Sequence, residues 1–185
     1  MTMTSGPLLT LEPLIEAVRE GVEGAGWELS GLQKTTSHEF AGRWEGESTR
    51  SAYLFFHSAG HPDTVSIEGF LDETSRGLQG SLTLVLDGRP LRDLGDPTEA
   101  LRRLGSTVVE EMTADDAVSV SLRARLGQPG GDPGAADVEI RFRLRVPAAA
   151  IRRGTGEVAA LSGRAVASFE AMAADEQVRR FLPGG

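Results

Sequence analysis

Hydrophobic residues recur at helical spacing in three parts of the chain. Thr10 can act as the N-cap of a first helix that glycines at 24 and 26 should end. Asp96 and Pro97 are typical of the start of a second helix, and a third, alanine-rich helix should follow Pro147 and run to about Phe181. Their apolar faces comprise Leu11, Leu14, Ile15, Val18 and Val22; then Leu101, Leu104, Val108 and Met112; and finally Val158, Leu161, Ala165, Phe169 and Met172.

Between the first two helices the apolar period changes to two, which is typical of strands with one buried face. Four or five antiparallel strands are predicted there, from the segments WELSGLQ, HEFAGRWEG, SAYLFFH, TVSIEGFLD and QGSLTLVLDG. Two further strands, VSVSLRARL and ADVEIRFRLRV, follow the second helix and flank the Gly- and Pro-rich loop GQPGGDPGAA.

This element order predicts an α+β fold. We expect a two-layer sandwich in which an antiparallel sheet of about six to seven strands is covered on one face by three helices, in the order helix, four or five strands, helix, two strands, helix. A length of 185 residues fits one domain. We place that domain at residues 10–182, after a disordered N-terminus at 1–9 and before a short flexible tail at 183–185.

Two known architectures share features of this order. It resembles that of type III secretion chaperone domains, which are small dimeric adaptors, and the resemblance is confined to the order of elements. The competing architecture is a helix-grip fold, in which a curved sheet wraps a long C-terminal helix around a ligand cavity.

The last two predicted strands alternate apolar with charged residues. Because neighbouring residues of a strand point to opposite faces, their arginines should share the face that the helices leave open. Carboxylates such as Glu68, Asp72 and Glu139 could neutralise this patch, or an anionic partner could occupy it. The predicted partner-binding residues are Arg123, Arg125, Arg141, Arg143 and Arg145.

The composition narrows the range of partners. A formal net charge of −8 and an aromatic content of 5% disfavour nucleic acid, and the charge also disfavours anionic membranes. The absence of cysteine excludes disulfides and thiolate chemistry, and no segment approaches the ~18 apolar residues of a membrane span. We therefore expect a cytoplasmic protein without a membrane partner. The predominance of arginine over the single Lys34 indicates a high-GC bacterial genome.

No set of residues predicts catalysis, a metal or a cofactor. His57 and His61, with Asp63 nearby, have a spacing that shares a face only on a helix, and here they fall on a strand end and a turn. His38 fits a strand start better than a general base. The chain has no Gly-x-Ser-x-Gly nucleophile elbow, and RRGTGEVAALSG lacks the ending of a phosphate-binding loop. The sequence therefore favours a non-catalytic protein without a cofactor.

The given sequence ends in Gly184 and Gly185. Ubiquitin-like modifiers present such a diglycine for adenylation, because glycine has no side chain to obstruct a narrow activating channel. Here the pair follows a predicted helix, whereas those modifiers end in a strand. A diglycine-tailed conjugation substrate is thus one alternative function, and a simple helix stop is the other interpretation.

Together these patterns predict a non-catalytic interaction or adaptor module. Its arginine-rich sheet face would bind an acidic or protein partner, and the protein could also pair with itself as a homodimer. The further alternative is a helix-grip carrier or enzyme that holds a small hydrophobic ligand.

Overall fold

A six-stranded antiparallel sheet forms one layer of the part of the chain that the computed structural model describes, which is residues 10–37, 49–113, 116–127 and 130–184. The strands are β1 (Glu28–Ser37), β2 (Thr49–His57), β3 (Val65–Thr74), β4 (Gly77–Gly88), β5 (Val118–Arg125) and β6 (Asp137–Val146). Their spatial order is β1-β2-β3-β4-β6-β5, so β6 lies between β4 and β5. The predicted strand in HEFAGRWEG, the N-terminal stretch 1–9, His38 and Gly185 lie outside the described residues.

Helices form the second layer. They are α1 (Leu11–Gly24), α2 (Pro97–Glu111), α3 (Ala148–Arg153), α4 (Thr155–Ala174) and α5 (Glu176–Arg179), with single 3₁₀ turns at Leu91–Asp93 and Pro133–Ala135. α1 contacts β2 and β3 and packs along α4, α4 contacts β4 and β6, and α2 lies beside β5. The predicted α+β sandwich is therefore confirmed. Within the described ranges, no helix is both long and apolar enough to cross a membrane.

The first two helices begin and end where their sequence signals predict. The carboxylate of Asp96 accepts a hydrogen bond of 2.9 Å from the backbone N–H of Thr98, which caps α2. α1 ends at Gly24, and Gly26 takes the left-handed conformation with a φ of 92°. That turn brings Trp27 back into the core, where it is 1% exposed.

The third predicted helix is interrupted before it reaches Phe181. α4 ends at Ala174, and Asp175 has an extended backbone with a ψ of 136°. Its carboxylate accepts hydrogen bonds from the backbone N–H groups of Gln177 at 2.7 Å and Val178 at 3.3 Å, and so caps α5. Aspartate is among the strongest N-cap residues, so Asp175 starts a new helix and breaks the backbone of the predicted one. The apolar repeat of the sequence continues past this break.

The core fills the space between the sheet and the helices. On β6 the residues at even positions are buried beneath the helices, in line with the predicted alternation. Phe142 of β6 and Phe169 of α4 are fully buried there, as is Met172. These apolar side chains therefore pack between the sheet and α4.

Candidate functional site

The face of the sheet opposite the helices is open to solvent. β6 shows this division most clearly, because Ile140, Phe142 and Leu144 are buried whereas Arg143 and Arg145 are exposed. All five predicted partner-binding arginines lie on this open face, since they occupy the positions between the core residues of β5 and β6.

The strand register keeps these arginines from facing one another. β5 and β6 are neighbours, as the sequence analysis assumed. Arg123 and Arg125 lie opposite Glu139 and Asp137, while Arg141 and Arg143 lie opposite serines of β5. Each of these four arginines therefore has an acidic or neutral residue directly across from it. The repulsion between guanidinium groups is smaller than it would be if arginines stood opposite each other on the two strands.

Arg141 is neutralised within the protein. Its guanidinium donates hydrogen bonds to Glu139, at 2.8 Å, and to Glu68, and its side chain is only 17% exposed. Burial disfavours the charged guanidinium, but its hydrogen bond to Glu139 and its charge attraction and hydrogen bond to Glu68 outweigh that cost and raise the pKa of Arg141. The contact with Glu68 crosses β4, because β4 pairs with both β3 and β6.

Near the C-terminal end of β6, Arg143 and Arg145 carry positive charge that no described carboxylate neutralises. Arg125 contacts Glu139 only at 4.0 Å. Arg123, Arg143 and Arg145 have no carboxylate within 4.0 Å among the described residues. Of these three, Arg123 stands opposite Glu139, whereas neither Arg143 nor Arg145 is paired with an acidic residue on a neighbouring strand.

An aromatic cluster lies on the same face, on β2 and β3. Tyr53 and Phe55 are 40% and 37% exposed, which is high for aromatic side chains. Tyr53 pairs with Phe70, and their ring centroids are 4.9 Å apart. This cluster was not predicted from the sequence. Its signal was the alternation of Tyr53 and Phe55 with Leu54, but the pairing with Phe70 depends on strand register.

Between the aromatic and arginine side chains, β4 carries small residues. Ser81 pairs with Phe70 on one side and with Arg145 on the other, and Thr83 pairs with Arg143. Both are nearly buried, at 2% and 5% exposure, because the larger side chains stand on either side of them. We call the resulting channel the furrow. Two depressions of about 250 Å³ each lie along it, and its residues are Tyr53, Phe55, Phe70, Ser81, Thr83, Arg143 and Arg145.

His57, His61 and Gly184 do not line the furrow. His57 is at the end of β2, whereas the ring of His61 stacks on Trp27 with centroids 5.1 Å apart. Nε2 of His61 is 3.6 Å from the Glu170 carboxylate, which also accepts a hydrogen bond of 3.1 Å from the Trp27 indole. The structure thus does not bring the two histidines together. Gly184 is exposed, and Gly185 lies outside the described residues.

Comparison of the chain with protein families, with curated proteins and with solved structures finds no match. No residue role is therefore transferred from a relative.

Proposed function

We propose that this protein is a non-catalytic bacterial interaction module of the cytoplasm that binds an acidic partner on its open sheet face. The observation that carries the proposal is the pair Arg143 and Arg145, two exposed arginines that no carboxylate of the described residues approaches within 4.0 Å. Neighbouring unpaired cations repel each other, and an anionic partner removes that cost. Arg123 lies at the margin of the same site and extends it toward β5.

The surroundings of this arginine pair favour a protein partner. Arginine forms bidentate contacts with carboxylates, and exposed aromatic residues beside arginine are typical of protein interfaces. The acidic character of the whole protein, with a net charge of −8, works against non-specific attraction of anions. Recognition at Arg143 and Arg145 is thus expected to be local.

A peptide-display experiment tests this function. A random dodecapeptide library is selected on the immobilised protein at about 0.15 M salt, where charges separated by more than about 8 Å are screened. We expect acidic peptides to be enriched. Arg143→Glu combined with Arg145→Glu should weaken their binding by roughly tenfold or more, because it replaces attraction with repulsion.

The matched control reverses two arginines in the helix layer. Arg152→Glu with Arg164→Glu produces the same change in net charge at exposed positions of α3 and α4. Binding should be retained in this control. Selection of peptides without acidic enrichment, or equal binding to both double variants, would contradict the proposal.

A further inference from the structure

We infer that the occupant of the furrow is an extended acidic peptide segment in which carboxylate and aromatic side chains alternate. This inference rests on the proposed function and specifies the chemistry of its partner. The observation behind it is that the two sides of the furrow differ in chemistry. Arg143 and Arg145 form one side, the cationic wall, and Tyr53, Phe55 and Phe70 form the other, the aromatic wall.

The cationic wall matches the repeat of an extended peptide. Arg143 and Arg145 are two residues apart on β6, and successive residues on one side of a strand are roughly 6.6 Å apart. Alternate residues of an extended ligand have the same spacing. A segment parallel or antiparallel to β6 can therefore place one carboxylate on each arginine, with the geometry that favours bidentate pairing.

The aromatic wall lies close enough to be contacted by those side chains of the peptide that point away from the arginines. Phe70, Ser81 and Arg145 occupy consecutive paired positions on β3, β4 and β6. Two strand spacings, roughly 10 Å, thus separate the backbones of the two walls. A chain lying over β4 directs its residues alternately to either side, so the residues between its carboxylates meet Tyr53 and Phe70.

Acidic residues on β3 determine which side receives the carboxylates. Glu68 and Asp72 flank Phe70 on the aromatic side of the furrow. Glu68 is held by Arg141, while Asp72 accepts a hydrogen bond of 2.8 Å from Ser51 and has no arginine within 4.0 Å among the described residues. A ligand carboxylate on that side would be repelled by Asp72. The charges therefore favour the arrangement in which the ligand carboxylates face Arg143 and Arg145 and the ligand aromatic side chains face Tyr53 and Phe70.

The floor of the furrow offers hydrogen-bonding groups, and its length limits the segment. Ser81 and Thr83 line one of the two depressions, and their side-chain hydroxyls make no hydrogen bond with another described residue. The Arg141–Glu68 contact crosses β4 just beyond Thr83. The distance along β4 from Thr83 to Gln79 is roughly 13 Å, which accommodates four or five extended peptide residues.

A peptide fits this site better than a small molecule does. Pockets for small ligands commonly enclose roughly 70–90% of the ligand surface. Each of the two depressions in the furrow has a volume of only about 250 Å³, which is smaller than small-ligand pockets commonly are. A chain segment can continue beyond both depressions and gain contacts that a small molecule would lack.

Synthetic peptides test the inference directly. The probes are fluorescein-labelled peptides with the cores Glu-Phe-Glu-Phe, Glu-Ala-Glu-Ala and Glu-Glu-Phe-Phe, each flanked by Gly-Ser, and binding is measured by fluorescence anisotropy. We expect the alternating Glu-Phe peptide to bind roughly tenfold more tightly than either of the others. The Glu-Ala peptide has the same charge without aromatic rings, and the block peptide has the same composition without alternation.

Protein variants assign the binding to the two walls. The double variant Tyr53→Thr with Phe70→Thr should bind the Glu-Phe peptide only as tightly as it binds the Glu-Ala peptide. Its affinity for the Glu-Ala peptide should equal that of the wild-type protein. Arg143→Gln with Arg145→Gln should weaken both. Leu32→Thr is the matched control, because Leu32 is an exposed apolar residue, at 44%, on the opposite face of β1.

The outcomes separate this inference from the proposed function. If the three peptides bind equally and depend on Arg143 and Arg145, acidic recognition stands and the alternating aromatic requirement is wrong. If the aromatic double variant loses the Glu-Ala peptide as well, its effect is general and the inference is also wrong. If no peptide binds at millimolar concentration, both the inference and the proposed function are overturned.

Discussion

Arg141 and Arg143 occupy the same face of the same strand, two residues apart, yet their environments differ. Arg141 is 17% exposed and hydrogen-bonded to Glu68 and Glu139. Arg143 is exposed and has no carboxylate within 4.0 Å among the described residues. At the scale of the residue, the first is neutralised within the protein, whereas no described carboxylate neutralises the second.

Substitution of these two arginines should separate stability from binding. Arg141→Gln leaves two partly buried carboxylates without their cation, so we expect the free energy of unfolding to fall by about 1–2 kcal/mol. Arg143→Gln should change it by less than about 0.5 kcal/mol, as is usual for surface substitutions. Urea denaturation of both variants measures this difference.

The acidic peptides selected on the wild-type protein provide the second readout. Arg143→Gln should weaken their binding at unchanged stability. Equal losses of stability in the two variants would show that the distinction between the two environments is wrong.

The sequence predicted the face on which these arginines lie but not their partners. Alternation with Val138, Ile140 and Phe142 was enough to place them opposite the core. Glu68 is 73 residues away from Arg141 in the chain, and the contact depends on the registers of β4 with two neighbours. A residue pattern within one strand contains no information about that pairing.

At the scale of the element, the close contact between α1 and α4 depends on Gly21. A Cβ atom at this position would lie 2.2 Å from the backbone carbonyl oxygen of Ala159 and 2.7 Å from Cβ of Ser162. Because a backbone atom cannot move aside as a side chain can, the helices could not keep their present separation. The hydroxyl of Ser162 is itself buried without a hydrogen-bond partner among the described residues.

Gly21→Ala should therefore destabilise the protein although alanine favours helix formation. We expect a loss of about 1–3 kcal/mol, as for other overpacked positions, measured by thermal and urea unfolding. The matched control is Gly105→Ala in the middle of α2, where a Cβ would meet nothing within 4 Å. That substitution should stabilise by roughly 0.5–1 kcal/mol. The same sign for both variants would refute the packing argument.

The N-terminal half of α2 contains a pH-dependent cluster. Hydrogen bonds from Arg102, at 2.8 Å, and from Arg103, at 2.9 Å, lower the pKa of Glu99 from 4.5 to about 2. A carboxylate whose pKa is lower in the folded state stabilises the protein above its unfolded pKa. This stabilisation is complete above about pH 4.5 and is lost as the pH falls through about 2.

Glu99→Gln should therefore be less stable than wild type at neutral pH, and the difference should shrink as the pH falls from about 4.5 toward 2, as measured by urea unfolding across that range. Because Glu99 is exposed, the difference should be small and should shrink further at high salt. Glu110→Gln, at the other end of α2, is the control, since no arginine lies within 4.0 Å of Glu110 among the described residues. A difference from wild type that persists unchanged to pH 2 would contradict the assignment.

Helices were the elements best predicted from sequence, because their signals are local. Capping residues and an apolar repeat of 3.6 positions predicted α1 and α2. The break between α4 and α5 was missed because the apolar repeat continues past Asp175 to Val178 and Phe181, and the cap interrupts only the backbone. The edge strand β1 was predicted from its sequence as well.

At the scale of the whole molecule, the two faces of the sheet have different environments. One face packs against α1, α2 and α4 and contains the core. The other brings together three exposed or partly exposed aromatic residues of β2 and β3 with the arginines of β6. In the chain, more than 70 residues separate these groups, and they meet because β6 inserts next to β4.

By itself, the sequence determined the fold class, the starts of α1 and α2, and the face of the sheet on which the arginines of β5 and β6 lie. These features follow from local periodicity and capping, which are written in neighbouring residues. Only the tertiary structure decided the strand order, the neutralisation of Arg141 and the furrow between the aromatic and arginine walls. Each of these depends on strand register, and register is set by the simultaneous packing of the whole sheet against its helices.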